Sequence, residues 1–217
     1  MNTLALIGLG LVLGIRHATD ADHVVAVAAM TARTRRLLPA AWLGVVWGLG
    51  HTLTLFTVGA AIILLNLTIP PRVGLALEFL VALALVTVGA LNLRRAAHAP
   101  HETPASRIPA WRAFGVGLTH GLAGSAAVAL LVLATVHDPL AACAYLLVFG
   151  AGTLIGMVLI TTSFATPLSL AARRWPRFGT VLRVATGALS VGFGAWLIVH
   201  IGFVDGLFLA IPRWTPH

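Results

Sequence analysis

Long apolar runs alternate with short polar connections along almost the whole chain. Six runs can be drawn, at about 3–31, 39–65, 73–93, 113–136, 140–170 and 179–203. Each reaches the roughly 20 residues that a helix needs to cross the hydrocarbon core of a bilayer. Pro39, Pro70-Pro71, Pro109, Pro139 and Pro176 fall between the runs, where proline suits the start or stop of a helix. The pattern predicts an all-α polytopic membrane protein, a single transmembrane domain over 1–217 with six transmembrane helices. The first, second and fifth runs exceed the minimum length, which predicts tilt or breaks.

Composition agrees with that reading. The 217 residues are 59% hydrophobic and 9% charged, against about 25% charged in soluble domains. The net charge of +8 comes from arginine alone, since the sequence has no lysine. Arg33, Arg35 and Arg36 follow the first run; Arg94, Arg95, Arg107 and Arg112 follow the third; Arg173, Arg174, Arg177 and Arg183 follow the fifth. The connections after runs two and four hold only Arg72 and no arginine, respectively. Alternation of basic and neutral loops reports membrane orientation rather than nucleic-acid binding. It places the basic loops in the cytoplasm and both termini outside a plasma (inner) membrane. The single Cys143 excludes an internal disulfide. The N-terminal run has no basic start and holds a charged cluster, so a cleaved signal peptide is not expected.

The two halves align with each other. Gly14-Ile15-Arg16-His17 matches Gly117-Leu118-Thr119-His120, Gly48-Leu49-Gly50-His51 matches Gly150-Ala151-Gly152-Thr153, and Thr87-Val88-Gly89 matches Ser190-Val191-Gly192, at offsets of 103, 102 and 103. Three spans per copy force the second copy into the membrane the opposite way. A three-plus-three inverted repeat follows, with copies at about 1–93 and 113–203 around a cytoplasmic loop at about 94–112.

The chemistry concentrates in Arg16-His17-Ala18-Thr19-Asp20-Ala21-Asp22-His23, inside the first apolar run. An ionised side chain at a bilayer centre costs about 2.5–3.5 kcal/mol on insertion scales, so this cluster needs partners or a bound cation. Imidazole and carboxylate without thiolate suit a borderline divalent transition metal. On an ideal helix, at about 100° per residue, His17, Asp20 and His23 share one face. Asp22 lies about 140° from His17, so it is either a supporting partner or reaches the ion only where the helix unwinds.

The motif Arg-His-Ala-x-Asp-Ala-Asp-His resembles the signature of the nickel/cobalt transporter (NiCoT) family, membrane permeases that bind the ion through it. The shorter, six-helix members, some of them called urease accessory membrane proteins, are the nearest in pattern. Leu49-Gly50-His51-Thr52 resembles a second segment of that family, which implies a site role for His51. His120, in Thr119-His120-Gly121-Leu122-Ala123-Gly124-Ser125, is the repeat partner of His17 and is expected to be a ligand or pathway residue, with Ser125 and Thr153 beside the same pathway. Gly156-Met157-Val158-Leu159-Ile160-Thr161-Thr162 resembles a later family motif with an aspartate where Thr161 stands, a departure that removes a charge from the second half.

The resulting expectation is a secondary permease for Ni²⁺, with Co²⁺ as the competitor. His17, Asp20, Asp22, His23 and His51 form the metal site; His120, Thr153, Ser125 and Thr161 lie along the pathway. No resident cofactor, nucleotide-binding loop or catalytic residue is expected, and the metal is the substrate. The partners are lipid, the ion and a nickel-enzyme maturation system, without nucleic acid. The alternatives are an exporter of a small anion or amino acid on a related fold, and a membrane accessory protein handing metal to an enzyme. Glu78 is expected to pair with Arg72 at the interface. His98, His101 and Glu102 are expected to be solvated loop residues.

Overall fold

The first apolar run folds as two helices with a break between them. The computed structural model describes residues 3–32, 36–98, 109–136, 138–174 and 178–214, the side chains of 3–6, 124–127, 129–131, 133–135, 168–174 and 178 excepted. Helix α1 spans Thr3–His17 and α2 spans Ala21–Thr31. Three residues, Ala18 to Asp20, separate them. The backbone there tightens into i→i−3 bonds, Thr19 N–H to the Arg16 carbonyl at 2.8 Å and Asp20 N–H to the His17 carbonyl at 3.1 Å. The Thr19 hydroxyl donates to the same Arg16 carbonyl at 2.6 Å. A short polar side chain thus competes with the helix for its own backbone. Asp20 then turns extended, at φ −60° and ψ 149°, and stands at the start of α2 with Asp22 in its first turn. Carboxylates there complement the positive end of the helix dipole. The continuous helix over 3–31, and with it the argument that His17, Asp20 and His23 share one helical face, does not hold.

The remaining helices follow the predicted spans more closely: α3 Leu37–Leu64, α4 Pro71–His98, α5 Ala110–Thr135, α6 Pro139–Arg174 and α7 Phe178–Val199. A single π-helical turn, His200–Val204, extends α7. The fold is all-α among the described residues. Among the described residues, four stretches are long and apolar enough to cross a membrane: Leu37–Leu64, Pro71–His98, Pro139–Pro167 and Gly179–Val204. Helices α1 and α2 are each shorter apolar helices on their own. Arg33, Arg35, Arg107, Arg177, His101 and Glu102 lie outside the described residues, as do the side chains of Arg173, Arg174 and Ser125.

Glycine sets how closely the central helices approach. A Cβ on Gly14 would stand 2.1 Å from the Phe149 carbonyl oxygen, and one on Gly117 2.2 Å from the Trp47 carbonyl oxygen. A Cβ on Gly152 would meet the Leu11 carbonyl at 2.3 Å, and one on Gly50 the Phe114 carbonyl at 2.4 Å. These are backbone-to-backbone contacts of the kind that small residues permit between membrane helices. Their register gives the directions. Contacts advance together in α1 against α6 and in α3 against α5, so those pairs run parallel. They advance oppositely in α3 against α6, where Gly44 meets Val158 and Thr161 and Gly48 meets Leu154. The pair α4 and α7 is also antiparallel, with Gly89 beside Gly187, the Ser190 hydroxyl bonded to the Leu85 carbonyl at 2.8 Å, and Gly194 against Ala82.

Helix α3 therefore sits between α5 and α6 and carries the core. Trp47, Leu55 and His51 on α3 are fully buried, as are Leu146 and Met157 on α6. At one end of the bundle, Arg72 donates to the carbonyls of Leu209 (3.2 Å) and Ala210 (3.5 Å). Glu78 accepts from the Trp214 indole at 2.8 Å, so the C-terminal segment supplies partners for both residues. The opposite end gathers the starts of α3, α5 and α7 with the finish of α4.

Candidate metal centre

Four imidazoles from four helices meet where α1 breaks from α2. His17 ends α1, His23 lies in the first turn of α2, His51 lies mid-way along α3, and His120 lies on α5. The His17 and His23 rings are 4.8 Å apart, His17 and His51 5.3 Å, His23 and His51 5.1 Å, and His23 and His120 5.4 Å. His23, His51 and His120 are buried, at 2%, 0% and 1% exposure.

Three of the four rings are anchored through Nδ1. His17 Nδ1 stands 2.7 Å from Asp20 Oδ2 and His23 Nδ1 3.1 Å from Asp22 Oδ1. His120 Nδ1 stands 2.9 Å from the Val116 carbonyl oxygen. A carbonyl only accepts, and so does an ionised carboxylate, so in each case Nδ1 carries the proton and donates. That tautomer leaves a lone pair on Nε2. The Nε2 atoms of His17, His23 and His120 and both ring nitrogens of His51 are buried without a hydrogen-bond partner. An unsatisfied buried polar atom costs about 1–3 kcal/mol, and several pointed at one place are rare in a native interior. A proton-bearing Nδ1 held by a carboxylate or a carbonyl, with Nε2 free, is how proteins present histidine to a metal.

Spacing permits one ion. His17, His23 and His51 offer ring nitrogens that all lie within 4.8 Å of one another. Three nitrogens spread evenly at about 2.0–2.1 Å around a common ion stand about 3.3–3.6 Å apart, so closure by about 1.2–1.5 Å completes the set. Two carboxylates beside the rings balance a divalent charge. The rim is polar: Arg16, Thr19 and Asp20 are exposed while the rings behind them are not.

The remaining expected residues take different positions. Asp20 and Asp22 both hold an imidazole by its Nδ1, so the break presents two carboxylate–histidine pairs. Thr153, fully buried, donates to the Phe149 carbonyl of its own helix at 3.0 Å, next to the site. Thr161 donates to the Met157 carbonyl at 2.8 Å and would meet a Cβ on Gly44, at the crossing of α3 and α6. It packs that crossing rather than joining the rings. His98 is exposed, and its Nδ1 donates to the Arg94 carbonyl at 2.7 Å. Two aromatic walls were not foreseen. Trp47 lies 5.7 Å from the His23 ring and 5.8 Å from the His120 ring, and Phe149 lies 5.5 Å from the His17 ring. Trp47 precedes His51 by four residues, one helical turn, which is the signal that would have placed it on the same face.

Comparison with known proteins agrees with a membrane-associated, metal-related role. No family profile matches the chain, and no solved structure does. A urease accessory protein, UreH of Bacillus sp. (strain TB-90), is 36% identical over 225 aligned positions, covering 96% of each chain. Two chloroplast proteins of Arabidopsis thaliana, FOR GROWTH AND FERTILITY 2 and 1, are 25% and 24% identical over 86% and 92% of this chain, which spans 54% and 60% of their lengths. With that identity and coverage, the chain belongs to the family of the urease accessory protein UreH.

Proposed function

We propose that the protein conducts a divalent transition-metal cation, Ni²⁺ ahead of Co²⁺, across the membrane through the histidine site at the α1–α2 break. The observation that carries this is the set of buried, unpartnered ring nitrogens of His17, His23 and His51, which three helices bring within 4.8 Å of one another, with the His120 ring beside His23. In this reading the broken motif is the NiCoT signature, and the family resemblance extends to its use. The ion exchanges water for His17 and Asp20 at the exposed rim, then for His23 and His51, with His120 on the far side. Imidazole favours such an ion over Mg²⁺ and Ca²⁺. The chain is not an enzyme: its family is named for an accessory role.

The proposal includes the six-span inverted repeat. It is supported by contacts that exchange under the 102–103 residue offset. Gly14 lies against Phe149 and Thr153 as Gly117 lies against Trp47 and His51, and Gly152 meets Leu11 as Gly50 meets Phe114. Matched helices then run antiparallel, α1 to α5, α3 to α6 and α4 to α7. Transport follows by movement of one half against the other about the shared site. The arginine-rich end faces the cytoplasm by charge, which leaves both termini outside.

The UreH relative favours a second use of the same site, delivery of the metal to a nickel-enzyme maturation system. Vesicles containing only this protein separate the two. Ni²⁺ uptake that Co²⁺ inhibits and Mg²⁺ does not is the expected result for the permease. Tight Ni²⁺ binding without uptake would refute transport and leave the accessory role.

A further inference from the structure

A second site lies at the opposite end of α2 from the metal. Between the finish of α2, the finish of α4 and the start of α5 is a cavity of about 50 Å³, lined by Met30, Val88, Leu91, Asn92, Arg95 and Arg112, with Val116 at its inner side. That is room for more than one water, each of which needs about 10–15 Å³. Its cations are two arginines, and no acid is among the described residues that line it. Among the described residues neither guanidinium makes a hydrogen bond or an ion pair; Arg112 only stacks on the Trp111 ring, at 5.0 Å. Asn92, buried beside them, spends its amide on the Ala29 carbonyl. Arg112 also stands in the first turn of α5, where the helix dipole adds positive potential instead of relieving it. Two half-buried like charges beside one small cavity make it attractive to an anion.

The walls say which anion. Val88, Leu91 and Met30 are apolar, and Leu91 is 40% exposed on the outer face of α4. A free phosphate would leave that apolar side empty. A phospholipid fills both, with its phosphate on the guanidiniums and its stem along Val88 and Leu91. Basic pockets between membrane helices at the cytoplasmic end bind anionic headgroups in this way, and Arg is suited to phosphate by its planar fork of donors. We infer that the cavity between α2, α4 and α5 is a binding site for the phosphate headgroup of an anionic phospholipid, held by Arg95 and Arg112. Because Val116 both lines the cavity and accepts from His120 Nδ1, the lipid sits one contact away from the metal site. The inference rests on the membrane-spanning reading above.

The test uses the full chain in lipid nanodiscs of phosphatidylcholine with a minor fraction of phosphatidylglycerol. Lipid retained after extraction is counted by native mass spectrometry. Wild type is expected to retain phosphatidylglycerol over phosphatidylcholine, and Arg95→Gln with Arg112→Gln to lose that preference, about tenfold or more in affinity. Arg94→Gln, an exposed neighbour outside the cavity, should retain it, as should the Arg95→Lys, Arg112→Lys pair in large part. Helix content by circular dichroism shows that each variant is folded. Equal retention in wild type and the double Gln variant would overturn the site. Stabilisation by inorganic phosphate alone, without retained lipid, would overturn the lipid in favour of a small anion. A chain that never enters a nanodisc would instead refute the membrane reading on which this rests.

Discussion

Replacing Gly117 by Ala adds one methyl group, three residues before His120 on α5, and tests the site through its packing. The new Cβ would lie 2.2 Å from the Trp47 carbonyl oxygen, 2.9 Å from Trp47 Cδ1 and 3.0 Å from the His51 nitrogen. Ordinary contact begins at 3.4 Å, so α5 and α3 must part by about 1.2 Å (3.4 against 2.2). Two of the three atoms met are backbone and cannot swing away. Overpacking of this kind costs about 1–3 kcal/mol, partly offset by the roughly 1 kcal/mol that Ala gains over Gly in a helix. More important is where the movement falls. It separates His51 on α3 from His120 on α5, in a site whose nitrogens must draw together, not apart, to hold an ion. Disturbing the support of a ligand typically costs about 10- to 100-fold in metal affinity. Gly115→Ala is the control: on the same helix, two residues away, its Cβ would meet nothing within 4 Å. Metal titration of the purified protein, with thermal melting alongside, should show Ni²⁺ affinity lowered at least tenfold in Gly117→Ala and unchanged within about twofold in Gly115→Ala. Equal affinity and melting in the two variants would refute the claim that backbone contact at Gly117 positions the site.

Three further outcomes are expected. Asp22→Asn keeps the shape but removes the charge that holds His23 Nδ1, so Ni²⁺ affinity should fall about 10- to 100-fold while the protein still inserts; titration of membranes carrying the variant checks it. Replacing His98 and His101 together by Ala should change uptake by less than about twofold, or ~0.4 kcal/mol, because His98 is exposed and bonded only to its own helix; a loss as large as that of His23→Ala would place the loop on the pathway. Ser190→Ala removes a buried bond between α7 and α4 and leaves the Leu85 carbonyl its helical partner, so it should lower stability by about 1 kcal/mol in denaturant titration without changing metal affinity.

Much of the molecule was legible in the order of its residues. Periodless apolar runs bounded by proline fix helices that are hydrophobic all round, because a chain in hydrocarbon must close its own backbone bonds. The polar cluster at 16–23 stood out because charge inside such a run needs compensation. What the sequence could not decide was the break at Ala18–Asp20. The length of the first run predicts tilt or a break but not its position; in the structure it falls where the backbone tightens into i→i−3 bonds and Asp20 turns extended. That break takes Asp20 off the helical face predicted for it with His17 and His23, and leaves Asp20 and Asp22 holding one imidazole each. Likewise, that His120 and Trp47 join His17, His23 and His51 depends on parallel packing of α3 on α5 through Gly50 and Gly117, a contact between positions more than sixty residues apart. Spacing along a chain determines which residues share a helix face; which faces meet is decided only when the helices close on their glycines.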